Sequence, residues 1–272
     1  IVSKNFHNKT VAVFGLARSG WSAMESLSKA GANVLVWDDD KKVTKNINLS
    51  NVEKTNLYDY DFSKIDSLVL SPGIPLHYPE PHKIVSKALQ ANCEVIGDIE
   101  LFFRTKTLAK IVGITGTNGK STATSLLHHV LETNQISNQM GGNIGKPVLT
   151  LDRMDENSVY IIELSSYQID LTPSLNCEIS ILLNISPDHI DRHGNLKNYI
   201  SLKKKIFKQN NSDKLAIIGT DDQYSNKIFY DLQKHSKNVV SVSIGRQSDS
   251  GIYAIDGILY DGRRNNLIVA DL

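Results

Sequence analysis

The sequence predicts an α/β protein: a Rossmann-like N-terminal domain followed by a P-loop α/β central domain. Three observations carry this. Short apolar runs alternate with helix-like stretches along the chain, the pattern of a parallel sheet with helical crossovers. The run Gly-Leu-Ala-Arg-Ser-Gly at residues 15–20 joins the first apolar run to the first helix. A second glycine-rich loop, Gly-Ile-Thr-Gly-Thr-Asn-Gly-Lys-Ser-Thr at residues 113–122, lies between another apolar run and another helix.

In order, residues 10–15 read as a buried strand, followed by a helix through Lys29 that Gly31 closes. Strands are expected at 33–38, 67–71 and 94–97, with a helix near 81–91. The stretch 103–110 is a plausible junction, which divides the chain into domains at 1–107 and 108–272. Later strands are expected at 159–164, 179–185, 215–219 and 239–244. The tail, 251–272, reads as short antiparallel strands with Asp-Gly turns at 256–257 and 261–262.

Composition excludes several classes. A chain of 272 residues with 40% apolar content can build one large or two ordinary cores. A net charge of +1 supplies no global field for nucleic acid or an anionic membrane. No apolar run approaches the roughly 20 residues of a membrane span, and no signal peptide is visible. A cytoplasmic monomer is expected. The two cysteines, Cys93 and Cys177, each open an apolar run and read as buried thiols, although a single disulfide stays open.

The loop at 113–122 carries the clearest chemistry. Its glycines let backbone N–H groups turn toward phosphate oxygens, and the helix that follows adds its dipole. Lys120 is expected to reach the terminal phosphates, and Ser121 or Thr122 to offer a hydroxyl to Mg²⁺. The general P-loop pattern wants glycine where Ile114 stands; here the glycine falls at Gly116. Glu163 ends an apolar strand beside this loop, a good position for holding Mg²⁺. The run Asp-His-Ile-Asp-Arg-His at 188–193 also follows a strand; read alone, it fits a Zn²⁺ site or an exposed loop. The first turn approaches a dinucleotide fingerprint, with Asp38 about 20 residues on where the ribose-binding acid sits. Ala17 replaces the second glycine and weakens that reading. Asn143 lies in a glycine-framed turn, 141–145, and Lys203, Lys204 and Lys205 read as a solvated helix face.

The variant loop resembles that of the Mur ligases, ATP-dependent amide-bond-forming enzymes of peptidoglycan precursor synthesis. Further motifs occur in the family's order: Ser-Pro-Gly-Ile at 71–74, Gly-Asp-Ile-Glu-Leu-Phe at 97–102, Gly-Gly-Asn-Ile-Gly at 141–145, Glu-Leu-Ser-Ser-Tyr-Gln at 163–168 and the run 184–193. The resemblance covers nearly the whole chain and is strongest to the branch that joins D-glutamate to UDP-N-acetylmuramoyl-L-alanine. It implies that Arg18, Ser19, Asp38, Ser71, Pro72, Gly73, Asn143 and Gln168 hold the UDP-linked substrate. It implies that Gly116, Thr117, Asn118, Gly119, Lys120, Ser121 and Thr122 hold ATP phosphates. Ser121, Glu163, His189 and Lys203 then surround Mg²⁺, with Lys203 carbamylated and His189 on a second ion. The implied catalytic set is Lys120, Glu163, His189 and Lys203. Asp188, Asp191 and Arg192 are expected to brace the loop, and His193 receives no role. The family's adenine-contacting segment and third domain are not found here, so the chain is expected to hold the first domain and most of the central one. A dinucleotide in the first domain, a sister Mur or folylpolyglutamate-type ligase, and a non-catalytic nucleotide-binding fragment are the competing readings.

Overall fold

A computed structural model describes residues 1, 4–40, 42–43, 47–208, 213–235 and 238–272. The first sheet is built from β1 (Thr10–Phe14), β2 (Asn33–Trp37), β3 (Val52–Lys54), β4 (Ser67–Leu70) and β5 (Glu94–Ile96), in the order β3-β2-β1-β4-β5. All its pairings are parallel. Three helices accompany it: α1 (Arg18–Lys29), α2 (Lys83–Gln90) and α3 (Asp98–Phe103). The order reverses between β1 and β4, so the loops leaving their carboxyl ends diverge and open a crevice.

The second sheet runs β14-β13-β12-β11-β10-β9-β6-β8-β7. Its first half comprises β6 (Lys110–Thr115), α4 (Lys120–Thr133), β7 (Asn138–Gly142), β8 (Val159–Glu163), α5 (Ser166–Asp170), β9 (Ile179–Leu182), α6 (Ile190–His193) and α7 (Leu196–Lys204). The rest is β10 (Leu215–Gly219), α8 (Gln223–Gln233), β11 (Val239–Ile244), β12 (Gly251–Ile255), β13 (Ile258–Asp261) and β14 (Leu267–Asp271). Strand β6 sits between β8 and β9 and runs parallel to both. The glycine-rich loop, Glu163 and the segment after β9 therefore emerge side by side at one edge of the sheet.

Local chemistry explains the elements. Val11, Ala12, Val13 and Phe14 are all buried, as a strand covered on both faces requires. Helix α1 buries Ala23, Met24 and Leu27 on one stripe. Asp222 caps α8 by accepting from Tyr224 N and Ser225 N, each at 2.9 Å. Asp256 and Gly257 both take positive φ, 51° and 78°, which makes the tight β12–β13 hairpin.

Several expectations are refined. Strands β3 and β7 carry little apolar alternation and are not anticipated by the sequence pattern. The strand expected at 179–185 ends at Leu182. In the tail, β13 and β14 pair antiparallel as expected, but β12 joins β11 in parallel. Both cysteines are buried and unpaired.

One apolar cluster runs through both units, from Val11, Met24 and Leu27 to Tyr160, Ile162 and Leu182. Phe102 meets Tyr160 edge-on at 5.1 Å across the join. Glu100, buried in α3, accepts from Arg104 Nε at 2.7 Å and from Ser174 N and Oγ at 2.9 and 2.8 Å. A buried carboxylate is tolerable only with such partners. The two sheets are thus locked together behind the crevice.

Candidate functional site

The crevice is a cleft of about 540 Å³ between the two units. It gathers Arg18, Ser19, Asp38, Ser71, Pro72, Gly73, Asn143 and Gln168 on its walls. Ser71 Oγ donates to Gly15 O at 2.7 Å, stitching the β4 loop to the β1 loop. Asp38 is not a free carboxylate: one oxygen accepts from Leu16 N at 2.6 Å, the other from Asp40 N at 2.8 Å. It shapes the turn as much as it faces a ligand. The sequence reading missed Asp39 and His82, which also line the cleft. His82 Nε2 lies 3.4 Å from Asp39, and Tyr58 donates to Asp39 at 3.0 Å. Burial and the Asp39 carboxylate push the Tyr58 hydroxyl up to about 12. The only signal in the sequence was the aspartate run at 38–40.

The phosphate loop is narrower than expected. Thr117 N donates to Asn184 O at 3.0 Å and Asn118 N to Asn184 Oδ1 at 2.9 Å, so these two N–H groups are turned away from a phosphate. Thr117 Oγ1 is likewise engaged, accepting from Ser186 N at 3.0 Å and lying 3.0 Å from Tyr199 OH. Gly119, with φ of 80°, turns the chain into α4, where the N–H groups of Lys120, Ser121 and Thr122 begin the helix. Lys120 Nζ lies back on Gly116 O and Thr117 O, at 3.0 and 2.8 Å. Its reach toward a phosphate requires it to leave these carbonyls.

Glu163, 0% exposed, stands at the carboxyl end of β8 beside the loop strand. Asn143 Nδ2 donates to its Oε1 at 2.7 Å. Its Oε2 is buried without a hydrogen-bond partner among the described residues. A buried carboxylate oxygen left unsatisfied is costly, and a cation would satisfy it. His189, half exposed and at φ of 51°, pairs with Asp188 at 3.4 Å and faces the Tyr167 ring at 5.4 Å. Among the described residues, no three His, Cys, Asp or Glu groups are close enough to form a metal cage. The expected Mg²⁺ set is therefore not preassembled. That still fits Mg²⁺, which keeps waters and takes one or two protein ligands beside phosphates. It does not fit the Zn²⁺ reading of 188–193, because His193 turns inward to Ser166 Oγ at 2.9 Å. Burial holds the His193 imidazole below its usual range.

The lysine run is the largest departure from a solvated face. Lys203 is 1% exposed. Its Nζ donates to Gly116 O at 2.8 Å and sits 4.8 Å from the Tyr199 ring centroid. Burial, aided by the nearby Lys120 charge and opposed by Asp188, pushes the ammonium down to about 7. Lys204 is exposed and pairs with Asp231 at 3.6 Å, while Lys205 reaches Asp170 at 2.8 Å. Helical geometry thus turns one of three adjacent lysines onto the phosphate loop.

A phosphate loop with a variant glycine, a strand-end carboxylate and a buried lysine lie beside a cleft between two sheets, the architecture of a nucleotide-binding site. Comparisons with known proteins agree. Residues 114–264 match the Mur ligase middle domain, and residues 9–97 match the Mur ligase MurD-like N-terminal domain. The chain belongs to the Mur ligase family. Within it, the chain is similar to the UDP-N-acetylmuramoylalanine–D-glutamate ligase of Phenylobacterium zucineum, with 43% identity over 94% of this chain and 56% of that protein. It is also similar to the enzyme of the same name from Caulobacter vibrioides, with 42% identity over 99% of this chain and 59% of that protein. The chain thus spans little more than half the length of these relatives. Its fold is shared by the Neisseria meningitides UDP-N-acetylmuramate:L-alanyl-gamma-D-glutamyl-meso-diaminopimelate ligase, with a TM-score of 0.58 at 19% identity, covering 94% of this chain and 85% of that one.

Proposed function

We propose that this chain holds the acceptor-nucleotide and ATP sites of a ligase that joins D-glutamate to UDP-N-acetylmuramoyl-L-alanine. Residues 1–107 bind the UDP moiety and residues 108–272 bind ATP. The observation that carries the reading is the 2.7 Å contact between Asn143 and Glu163. Asn143 lines the cleft and Glu163 flanks the phosphate loop, so a substrate carboxylate entering along the cleft arrives beside the γ-phosphate.

In this reading Arg18 and Ser19, at the start of α1, meet the diphosphate, with helped orientation from the helix dipole. Asp38 meets the uracil, Ser71, Pro72 and Gly73 form the cleft wall, and Asn143 and Gln168 orient the muramoyl arm. Gly119 to Thr122 supply N–H groups to the ATP phosphates, and Lys120 leaves its carbonyls to neutralise them. Ser121 and Glu163 would hold Mg²⁺ beside the phosphates, a carbamylated Lys203 would stabilise that ion, and His189 would hold a second; the bound ions would balance phosphate charge. A carboxylate oxygen of the alanyl end attacks the γ-phosphorus and ADP leaves. The amine of D-glutamate then attacks the acyl phosphate, and phosphate departs as the amide forms and the amine loses its proton. The chain's contribution is positioning and charge neutralisation.

Lys120→Ala tests the division of labour. Calorimetry should find binding of Mg·ATP lost or weakened at least about tenfold, a cost of one charge-assisted contact, with UDP-N-acetylmuramoyl-L-alanine binding unchanged. Unaltered ATP binding by the variant would contradict the phosphate role of Lys120.

A further inference from the structure

His193 ends the run 188–193 and takes no part in the function just described. In the structure it is the buried centre of a stack of rings. Its ring lies parallel to Tyr167, with centroids 5.1 Å apart and planes 18° apart. It also meets Tyr199, tilted, with centroids 5.2 Å apart. Each end of the stack finishes on a ligand-binding loop. Tyr199 OH lies 3.0 Å from Thr117 Oγ1 in the phosphate loop. Beyond Tyr167, the Arg192 guanidinium sits 4.9 Å over the ring and donates from Nη1 to Gly73 O at 3.0 Å. Gly73 belongs to the cleft wall.

The contacts therefore run without interruption from Gly73 through Arg192, Tyr167, His193 and Tyr199 to Thr117. Two features separate this from ordinary packing. Arg192 Nη1 donates to the Gly73 carbonyl and so ties the cleft wall to the second unit, at a position where no heavy atom lies within 4 Å of where a Cβ would stand. Arg192 also keeps its Nε buried with no acceptor among the described residues, an unfavourable state that a merely structural arginine would avoid. A second strap on the same face, His77 to Asp170 at 3.3 Å, holds the loop's later part.

We propose that Arg192, His193 and Tyr199 are positioning residues that link the two nucleotide sites, so that a uridine nucleotide in the cleft tightens an adenine nucleotide at the phosphate loop. The inference rests on the assignment of the two sites given above. A ligand packed against Pro72 and Gly73 fixes the Gly73 carbonyl and with it Arg192. The stack then holds Tyr199 against Thr117 and keeps the phosphate loop in its binding shape. Linkage makes the effect reciprocal. None of the three residues lines the cleft.

The test is calorimetry of Mg·ADP binding to this chain, alone and with saturating UDP. Wild type should bind ADP at least about fivefold tighter when UDP is present, the lower end of ordinary coupling. Arg192→Gln and Tyr199→Phe should still bind each nucleotide alone but lose the tightening; His193→Gln, which can keep the Ser166 bond without the ring, should lose most of it. Thermal melting checks that each variant is folded, and Arg192→Lys, which keeps the charge over Tyr167 while moving the donor, serves if the glutamine variant is not; it should lose the tightening too. Tightening of wild-type size in folded Arg192 and Tyr199 variants overturns the proposal, as does its absence from wild type. Failure of wild type to bind ADP or UDP singly overturns the site assignments themselves, and this proposal with them.

Discussion

Lys203 and Lys204 are neighbours in the chain and opposites in environment: one is buried on the phosphate loop, the other exposed and paired with Asp231. Only a lysine that spends time neutral can add CO₂, and burial favours the neutral form. On the proposed function, Lys203→Ala in a ligase that carries this sequence should lower turnover by roughly 10²–10³, the scale of one preorganised electrostatic contact. Added acetate should restore part of it by replacing the proposed carbamate. Lys204→Ala should leave turnover near normal. An active Lys203→Ala enzyme, or loss confined to Lys204→Ala, would contradict the assignment. Cys177 supplies a pH test of the fold. Burial pushes its thiol up to about 12. Between the ordinary thiol range and that value, the native state keeps a proton that the unfolded state loses, so this group's contribution to stability falls as pH rises. The stability advantage of wild type over Cys177→Ala should therefore narrow as pH rises above about 9, and a constant gap in denaturant midpoints would count against a buried, protonated thiol.

At the scale of elements, the turn from β1 into α1 depends on Gly20. A Cβ there would run into the carbonyl oxygen of Gly15, whereas one at Gly73 meets open space. Gly20→Ala should lower the melting temperature by several degrees, the effect of about 1–3 kcal/mol of overpacking on a chain this size, and weaken UDP binding. Gly73→Ala should melt like wild type, and equal melting of both variants would refute the steric argument. The strands that the sequence made legible are those with strong apolar runs, such as β1, β6 and β8. Strand β3, Val-Glu-Lys, and β7, Asn-Gln-Met-Gly-Gly, were not, because β3 is a three-residue edge and β7 forms through pairing with β8 rather than through its own pattern. The glycine-rich loop was legible as a motif, yet the clamp of Asn184 on Thr117 and Asn118 was not. It joins residues 66 and 67 positions apart, and local spacing carries no trace of it. The burial of Lys203 was equally hidden, since three adjacent lysines look solvated until packing chooses which one turns inward.

For the whole molecule, the cleft exists because two sheets are locked behind it by a shared apolar cluster and by Glu100, which ties α3 to Ser174. The locking fixes Arg18 and Ser19 opposite Asn143 and Gln168, which the sequence separates by more than a hundred residues. That arrangement suits the proposed substrate, which is long enough to span both units, with a uridine diphosphate at one end and a carboxylate at the other. A dinucleotide would instead need close backbone approach at Ala17, where the second glycine of the fingerprint is missing. The most direct measurement is titration calorimetry of this chain with UDP-N-acetylmuramoyl-L-alanine and, separately, with NAD. The muramoyl nucleotide should bind, with at least about tenfold preference over NAD, equivalent to one well-made polar contact. Equal or tighter binding of NAD would contradict the account.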